Sequence, residues 1–100
     1  LHYHSIENEL IEQSSQIFKA LSDPTRIKIL HLLFYKECSV NEIANQLDMN
    51  QSTISHQLKY LKQLRLVKNR KEKTTNYYSL DDDHVMNLLE QTIEHIKHTN

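Results

Sequence analysis

The chain has 100 residues, 38% hydrophobic and 25% charged, with a formal net charge of -1. That is enough for one domain with one modest core, and it excludes both a disordered tail and a bilayer-spanning segment. Glycine is absent and cysteine occurs once, at Cys38, which excludes Gly-rich phosphate loops and an intramolecular disulfide framework and, with no signal-peptide pattern, leads to an expected place in the cytoplasm.

In chain order, "SIENELIEQSSQIFKAL" carries Ile6, Leu10, Ile17 and Leu21 at helical spacing, with Ile11 and Phe18 widening the stripe. A second helix opens at "DPTRIKILHLLFYK", where Asp23 can cap and Pro24 takes the first helical position. Its apolar residues lie on several sides, so it is expected to be the most buried helix. "SVNEIANQL" begins with Ser39 three residues before Glu42, a capping-box pattern, and buries Val40, Ile43, Ala44 and Leu47. "DMN" interrupts the pattern, and "QSTISHQLKYLKQLRL" follows as a helix with Ile54, Leu58 and Leu61 inward. "LVKNRKEKTTNYYSL" reads as a hairpin with a charged tip. It lacks a tight Asn-Gly turn, so the tip is expected to be long and mobile. A last helix is predicted from about Asp82 to about Lys97, with about two to four residues of boundary error.

The order of helix, helix, short helix, turn, helix, hairpin, helix predicts a mainly α chain with a small β-hairpin. It predicts a single winged helix-turn-helix domain over residues 1–100, with N- and C-terminal helices for dimerisation. Charge follows the same division. Residues 51–79 hold seven Lys or Arg against one acid, giving +6, whereas the segments before and after carry -3 and -4. A basic middle between acidic flanks points to a polyanion on one face.

In a helix-turn-helix the second helix enters the major groove by its N-terminal residues. Those are Gln51, Ser52, Thr53, Ser55, His56 and Gln57, hydrogen-bonding groups that can reach base edges or phosphates. Taken alone, such residues more often just solvate an exposed helix start. Lys59, Lys62, Arg65, Arg70, Lys71 and Lys73 follow closely and make double-stranded DNA the expected partner, with Lys59, Arg70, Lys71 and Lys73 as phosphate contacts. His31 is expected to be a packed or surface histidine, and His56 a DNA contact.

Near the end, "DDDHVMNLLEQTIEHIKH" places His84, His95 and His98 on one helical face, His95 about 20° to one side of His84 and His98 about 40° to the other, with Asp82 beside them. Because His84 and His95 lie about 16 Å apart along a helix, and a metal–nitrogen bond is about 2 Å, one chain cannot close a site. Two antiparallel copies can: Asp82 and His84 of one chain face His95 and His98 of the other, making two N3O sites per homodimer. Three imidazoles and a carboxylate suit Zn(II), and Co(II) fits the same geometry. Against this stands the ordinary reading, in which surface histidines are solvated and acids favour a helix start through the dipole.

On "ALSDPTRIKIL", "SVNEIANQLDMNQSTISHQLKYLKQLRLV" and "YYSLDDDHV", the chain resembles the ArsR/SmtB family of bacterial metal-responsive repressors over essentially its whole length. The D-x-H…H-x-x-H pattern, at Asp82, His84, His95 and His98, is similar to the dimer-interface site of that family's zinc/cobalt-sensing branch. The resemblance implies a homodimer that binds operator DNA when metal-free and releases it when zinc binds, and neither an enzyme nor a membrane protein. Some relatives use a C-x-C pair at the start of the third helix; here Ser39 and Asn41 stand at those positions, so a thiolate site for soft metals is missing, and Cys38 is expected to be a partly buried small residue. A relay from His95 or His98 to the backbone near Arg65 would let zinc bias the spacing of the recognition helices.

Three rival readings remain. His2 and His4 could complete a six-coordinate nickel/cobalt site. A metal-dependent hydrolase would need an open coordination position and a substrate pocket, and four protein ligands leave no such position. The histidines could serve a pH-sensitive interface alone.

Overall fold

The computed structural model describes residues 2–99. Five helices surround a small sheet: α1 (Asn8–Leu21), α2 (Pro24–Tyr35), β1 (Cys38–Ser39), α3 (Val40–Leu47), α4 (Gln51–Gln63), β2 (Val67–Glu72), β3 (Thr75–Leu80) and α5 (His84–Thr99). The winged helix-turn-helix order expected from the sequence is present, with helix ends shifted by a few residues.

Local chemistry starts the helices. Asp23 accepts from the backbone N–H of Arg26 at 3.0 Å, with Pro24 at the first position of α2. At α3 the capping box closes in both directions: Ser39 Oγ accepts from Glu42 N–H at 3.2 Å, and Glu42 Oε1 accepts from Ser39 N–H at 2.9 Å. Asp48 ends α3 in the left-handed region, φ 53°, which Asp tolerates better than most residues. Two residues on, Asn50 caps α4 by accepting from Thr53 N–H at 2.7 Å. The turn between α3 and α4 is thus closed by backbone and side-chain partners at both ends.

The core lies where α2, α3, α4 and the start of β2 meet. Ile29, Ile43, Ile54, Leu58, Leu61 and Val67 are fully buried there. Truncating one such leucine or isoleucine to alanine costs roughly 2–5 kcal/mol, so this cluster sets the rotation of α4 about its own axis. The α1 stripe behaves differently. Ile17 and Leu21 are half-buried against the core and Ala20 is fully buried, but Leu10, Ile11 and Phe18 remain exposed, Phe18 at 58%.

The sheet has three antiparallel strands in the order β1-β3-β2. β1 was not expected: two residues, Cys38 and Ser39, pair with Tyr78 and Tyr77. Cys38 is accordingly more buried than foreseen, at 1%. The long hairpin tip foreseen from the sequence is corrected to a short one. Glu72 pairs directly with Thr75, leaving a two-residue turn in which Lys73 has φ 57°. A positive φ at the first central residue is what a tight primed turn demands, and lysine takes it here without glycine.

Candidate nucleic-acid interface and metal half-sites

α4 presents its outer face to solvent. Gln51, Ser52, Ser55, His56 and Lys59 are exposed, and Ser52, Ser55, His56 and Lys59 share one surface at spacings of three, four and seven. Thr53 is half-buried, with its N–H used by the Asn50 cap. Gln51 donates to Asn41 at the start of α3, which ties the entries of the two helices together. Gln57 is half-buried, and its side-chain carbonyl accepts from Arg26 Nη1 at 3.3 Å.

Lys62 near the end of α4, and Lys68, Lys71 and Lys73 in the wing, are exposed, so both elements carry basic side chains open to solvent. Arg70 differs. Its guanidinium takes both oxygens of Glu37 at 2.8–3.0 Å, reaches Glu72 at 3.0 Å, and lies 5.0 Å from the centre of the Tyr77 ring. These carboxylates hold its pKa even higher than usual for arginine, and they compensate its charge at the base of the wing. Tyr78, on the other face of β3, packs on the core.

At the foot of α5, Asp82 and His84 stand together. Asp82 Oδ1 accepts from His84 N–H at 2.9 Å and lies 3.2 Å from His84 Nδ1. The His84 N–H, and then its imidazole, hold the Asp82 carboxyl below its ordinary pKa. The His84 side chain is 88% exposed. His95 and His98 are exposed near the other end of the helix, where His98 Nε2 lies 3.6 Å from Glu94. Among the described residues of a single chain, no three metal-ligating side chains converge on one point. The donor set fits a borderline metal such as zinc only if two chains share it: each chain offers an N,O pair at one end of α5 and an N,N pair at the other. His2 and His4 are exposed in the segment before α1.

The foot of α5 is joined to the end of the recognition helix. Asp81 N–H donates to Leu66 C=O at 3.1 Å. Asp82 and His84 also line a largely apolar cavity of about 200 Å³ with Leu64, Arg65, Leu66, Val85 and Met86. Arg65, at φ 59°, turns the chain out of α4 at this point. The sequence placed a relay to this backbone at His95 or His98; within one chain it is the Asp82–His84 end that lies beside it.

Cys38 Sγ lies 3.4 Å from Lys36 C=O, and burial, followed by the nearby Glu42 carboxylate, pushes the thiol pKa up. A thiol held neutral in this way is a poor soft-metal ligand. Sequence reasoning missed Arg26, Glu37 and Asn50. The Asn50 cap had a local signal, since Asn precedes the α4 stripe directly; the other two act through distant partners.

Residues 23–69 match the family model for the bacterial regulatory protein, arsR family. A cadmium resistance transcriptional regulatory protein CadC homolog of Staphylococcus aureus is 45% identical over 82 residues, covering 81% of this chain and 68% of that protein. The chain belongs to the ArsR/SmtB family. A transcriptional repressor SmtB homolog of Synechocystis is 38% identical over 86% of this chain, which spans 65% of that ArsR/SmtB relative's length. Among solved structures, a homodimeric winged helix-turn-helix DNA-binding domain from Mycobacterium bovis superposes with a TM-score of 0.81 at 34% identity, covering 96% of this chain and 95% of that one. These ArsR/SmtB relatives are transcriptional regulators, not enzymes, and no described helix of this chain is long and apolar enough to cross a membrane.

Proposed function

We propose that this ArsR/SmtB chain is a metal-responsive transcriptional repressor that holds operator DNA as a metal-free homodimer and releases it when Zn(II) binds between the subunits. Asp82 and His84 of one subunit, with His95 and His98 of the partner subunit, would hold the metal, two ions per dimer, with Co(II) as a substitute. Bound there, the metal would link the α5 helices of the two subunits through these side chains. The relatives named for repression and for cadmium resistance support the general reading. The absence of a usable thiolate argues for a borderline metal over cadmium in this chain.

The observation that carries the reading is the joint between ligands and recognition helix. Asp82 directly follows Asp81, whose N–H is bonded to Leu66 three residues past the end of α4, and His84 comes two residues after Asp82. Anything that fixes the start of α5 against the partner subunit therefore fixes the exit of α4. A dimer meets DNA through two recognition helices at a set spacing, so a change in their separation opposes binding. The coupling is reciprocal: DNA must weaken zinc to the same degree that zinc weakens DNA.

For the DNA face we propose Gln51, Ser52, Thr53, Ser55 and His56 at the groove, and Lys59, Lys71 and Lys73 on phosphates. Arg70 serves the same face by holding the wing upright through Glu37 and Glu72. The test is fluorescence anisotropy of a labelled operator, selected from random DNA, under zinc titration at fixed pH. Zinc should release the wild type and leave the His84→Ala/His95→Ala variant bound. Zinc-insensitive binding by the wild type would refute the sensor. Release by nickel in place of zinc, lost on truncating His2 and His4 to alanine, would move the reading to a six-coordinate nickel sensor.

A further inference from the structure

Arg26 is the third residue of α2, yet its side-chain hydrogen bonds all go to partners outside that helix. Its Nε donates to Ala20 C=O at 2.8 Å and its Nη2 to Lys19 C=O at 3.3 Å, two carbonyls in the last turn of α1. Its Nη1 donates to Gln57 Oε1 at 3.3 Å, and its guanidinium carbon lies 4.7 Å from the centre of the Tyr60 ring. One planar group thus grips the end of α1 and two neighbouring side chains of the recognition helix. The Ala20 residue is wholly buried, so its carbonyl has no ready water in exchange, and an unpartnered buried carbonyl is costly. A lysine offers one compact ammonium and cannot span these three directions.

This arrangement changes the part that Gln57 can take. Glutamine reads adenine by presenting its amide oxygen and nitrogen together to one base edge. In this structure the oxygen is turned to Arg26. We propose that Arg26 and Gln57 form a positioning clamp that locks the recognition helix to the C-terminal end of α1, and that Gln57 reads no base. The core residues Ile54, Leu58 and Leu61 set the rotation of α4; the clamp sets its attachment to α1. α1 also carries the exposed Leu10, Ile11 and Phe18, the surface expected to meet the second subunit. Arg26 therefore fixes the distance from the dimer interface to the DNA-reading face. The consequence for DNA rests on the repressor reading above; the clamp itself does not.

The clamp is tested on two levels with the full chain. In urea unfolding, Arg26→Lys, Gln57→Ala and the double variant form a cycle. The clamp predicts non-additivity, the double variant losing clearly less than the sum of the singles; additive losses would overturn it, whether or not the protein binds DNA. Arg26→Lys keeps the charge and guards against a variant that fails to fold. On DNA, affinity is read on the selected operator, on its single-base-pair substitutions, and on versions with the half-sites moved one or two base pairs apart. Gln57→Ala should weaken binding to all base-substituted operators alike, by roughly three- to tenfold, with discrimination intact at every position. Arg26→Lys should flatten the dependence on half-site spacing, an effect that lowered stability alone does not produce. A Gln57→Ala variant that loses discrimination at one base pair, or an Arg26→Lys variant with the wild-type spacing preference, would overturn the proposal. If the wild type selects no operator at all, the repressor reading fails and the unfolding cycle alone judges the clamp.

Discussion

Ser39 and Glu42 illustrate what a single residue pair contributes. Glu42 holds the Ser39 backbone N–H and lies 3.4 Å from Lys36 Nζ; the N–H first, and then the lysine, hold its carboxyl below the ordinary range. A depressed carboxylate pKa stabilises the folded chain above the unfolded-state value, about 4.3, and that contribution is lost as pH falls through the folded value. Glu42→Gln keeps a side-chain acceptor for the cap and removes only the charge. Thermal melts should show wild type above Glu42→Gln at neutral pH, with the gap closing below about pH 4. A gap independent of pH would mean the charge plays no part. This pair was legible in the sequence because its partners are three residues apart, as were Asp23 and Pro24. Arg26 and Arg70 were not legible in the same way. Their decisive partners, Gln57 and Glu37, lie 31 and 33 residues away, and no local spacing encodes such a meeting. The sequence therefore read Arg70 only as a cation, where the structure shows an ion cluster.

At the scale of elements, α4 was the most readable, because Ile54, Leu58 and Leu61 repeat at helical period and bury together. The sheet was half-readable. β2 and β3 carry β-branched and aromatic residues, whereas β1 is too short for any periodicity and exists only because Tyr77 and Tyr78 pair with it. The tip was misjudged because a tight turn without Gly or Asn relies on Lys73 accepting a positive φ that the paired strands impose. The wing's two kinds of basic residue should separate by salt dependence. Lys71 is exposed without a carboxylate partner among the described residues, and Arg70 is ion-paired. Plotting log affinity for DNA against log salt, Lys71→Ala should reduce the slope by about 1. Arg70→Met should leave the slope nearly unchanged while weakening binding at every salt concentration. An equal reduction by both would show that Arg70 leaves Glu37 to meet a phosphate.

At the scale of the molecule, the chain is divided by charge and by exposure. Exposed basic residues lie on α4 and the wing, and α1 and α5 carry the uncovered apolar residues Leu10, Ile11, Phe18, Leu88 and Ile96, with Phe34 and Tyr35 exposed at the end of α2 and Tyr3 and Ile6 ahead of α1. The uncovered residues of α1 and α5 support pairing with another copy, and the separation of the ligand pairs along α5 requires it if a metal is held at all. The histidine face was legible because an eleven-residue interval is close to three turns. What the sequence could not supply was the joint between Asp81 and Leu66, through which the ligand end of α5 reaches the recognition helix.

The shared site is tested most directly by mixing two disabled chains. His84→Ala lacks one half of the site, and His95→Ala/His98→Ala lacks the other. Each alone should fail to bind zinc tightly. Unfolded together and refolded, they should recover tight zinc binding, one intact site in each mixed dimer, as read by competition with a chromophoric chelator. If the mixture binds zinc no better than its two components apart, the site is not built between subunits and the proposed sensor is wrong.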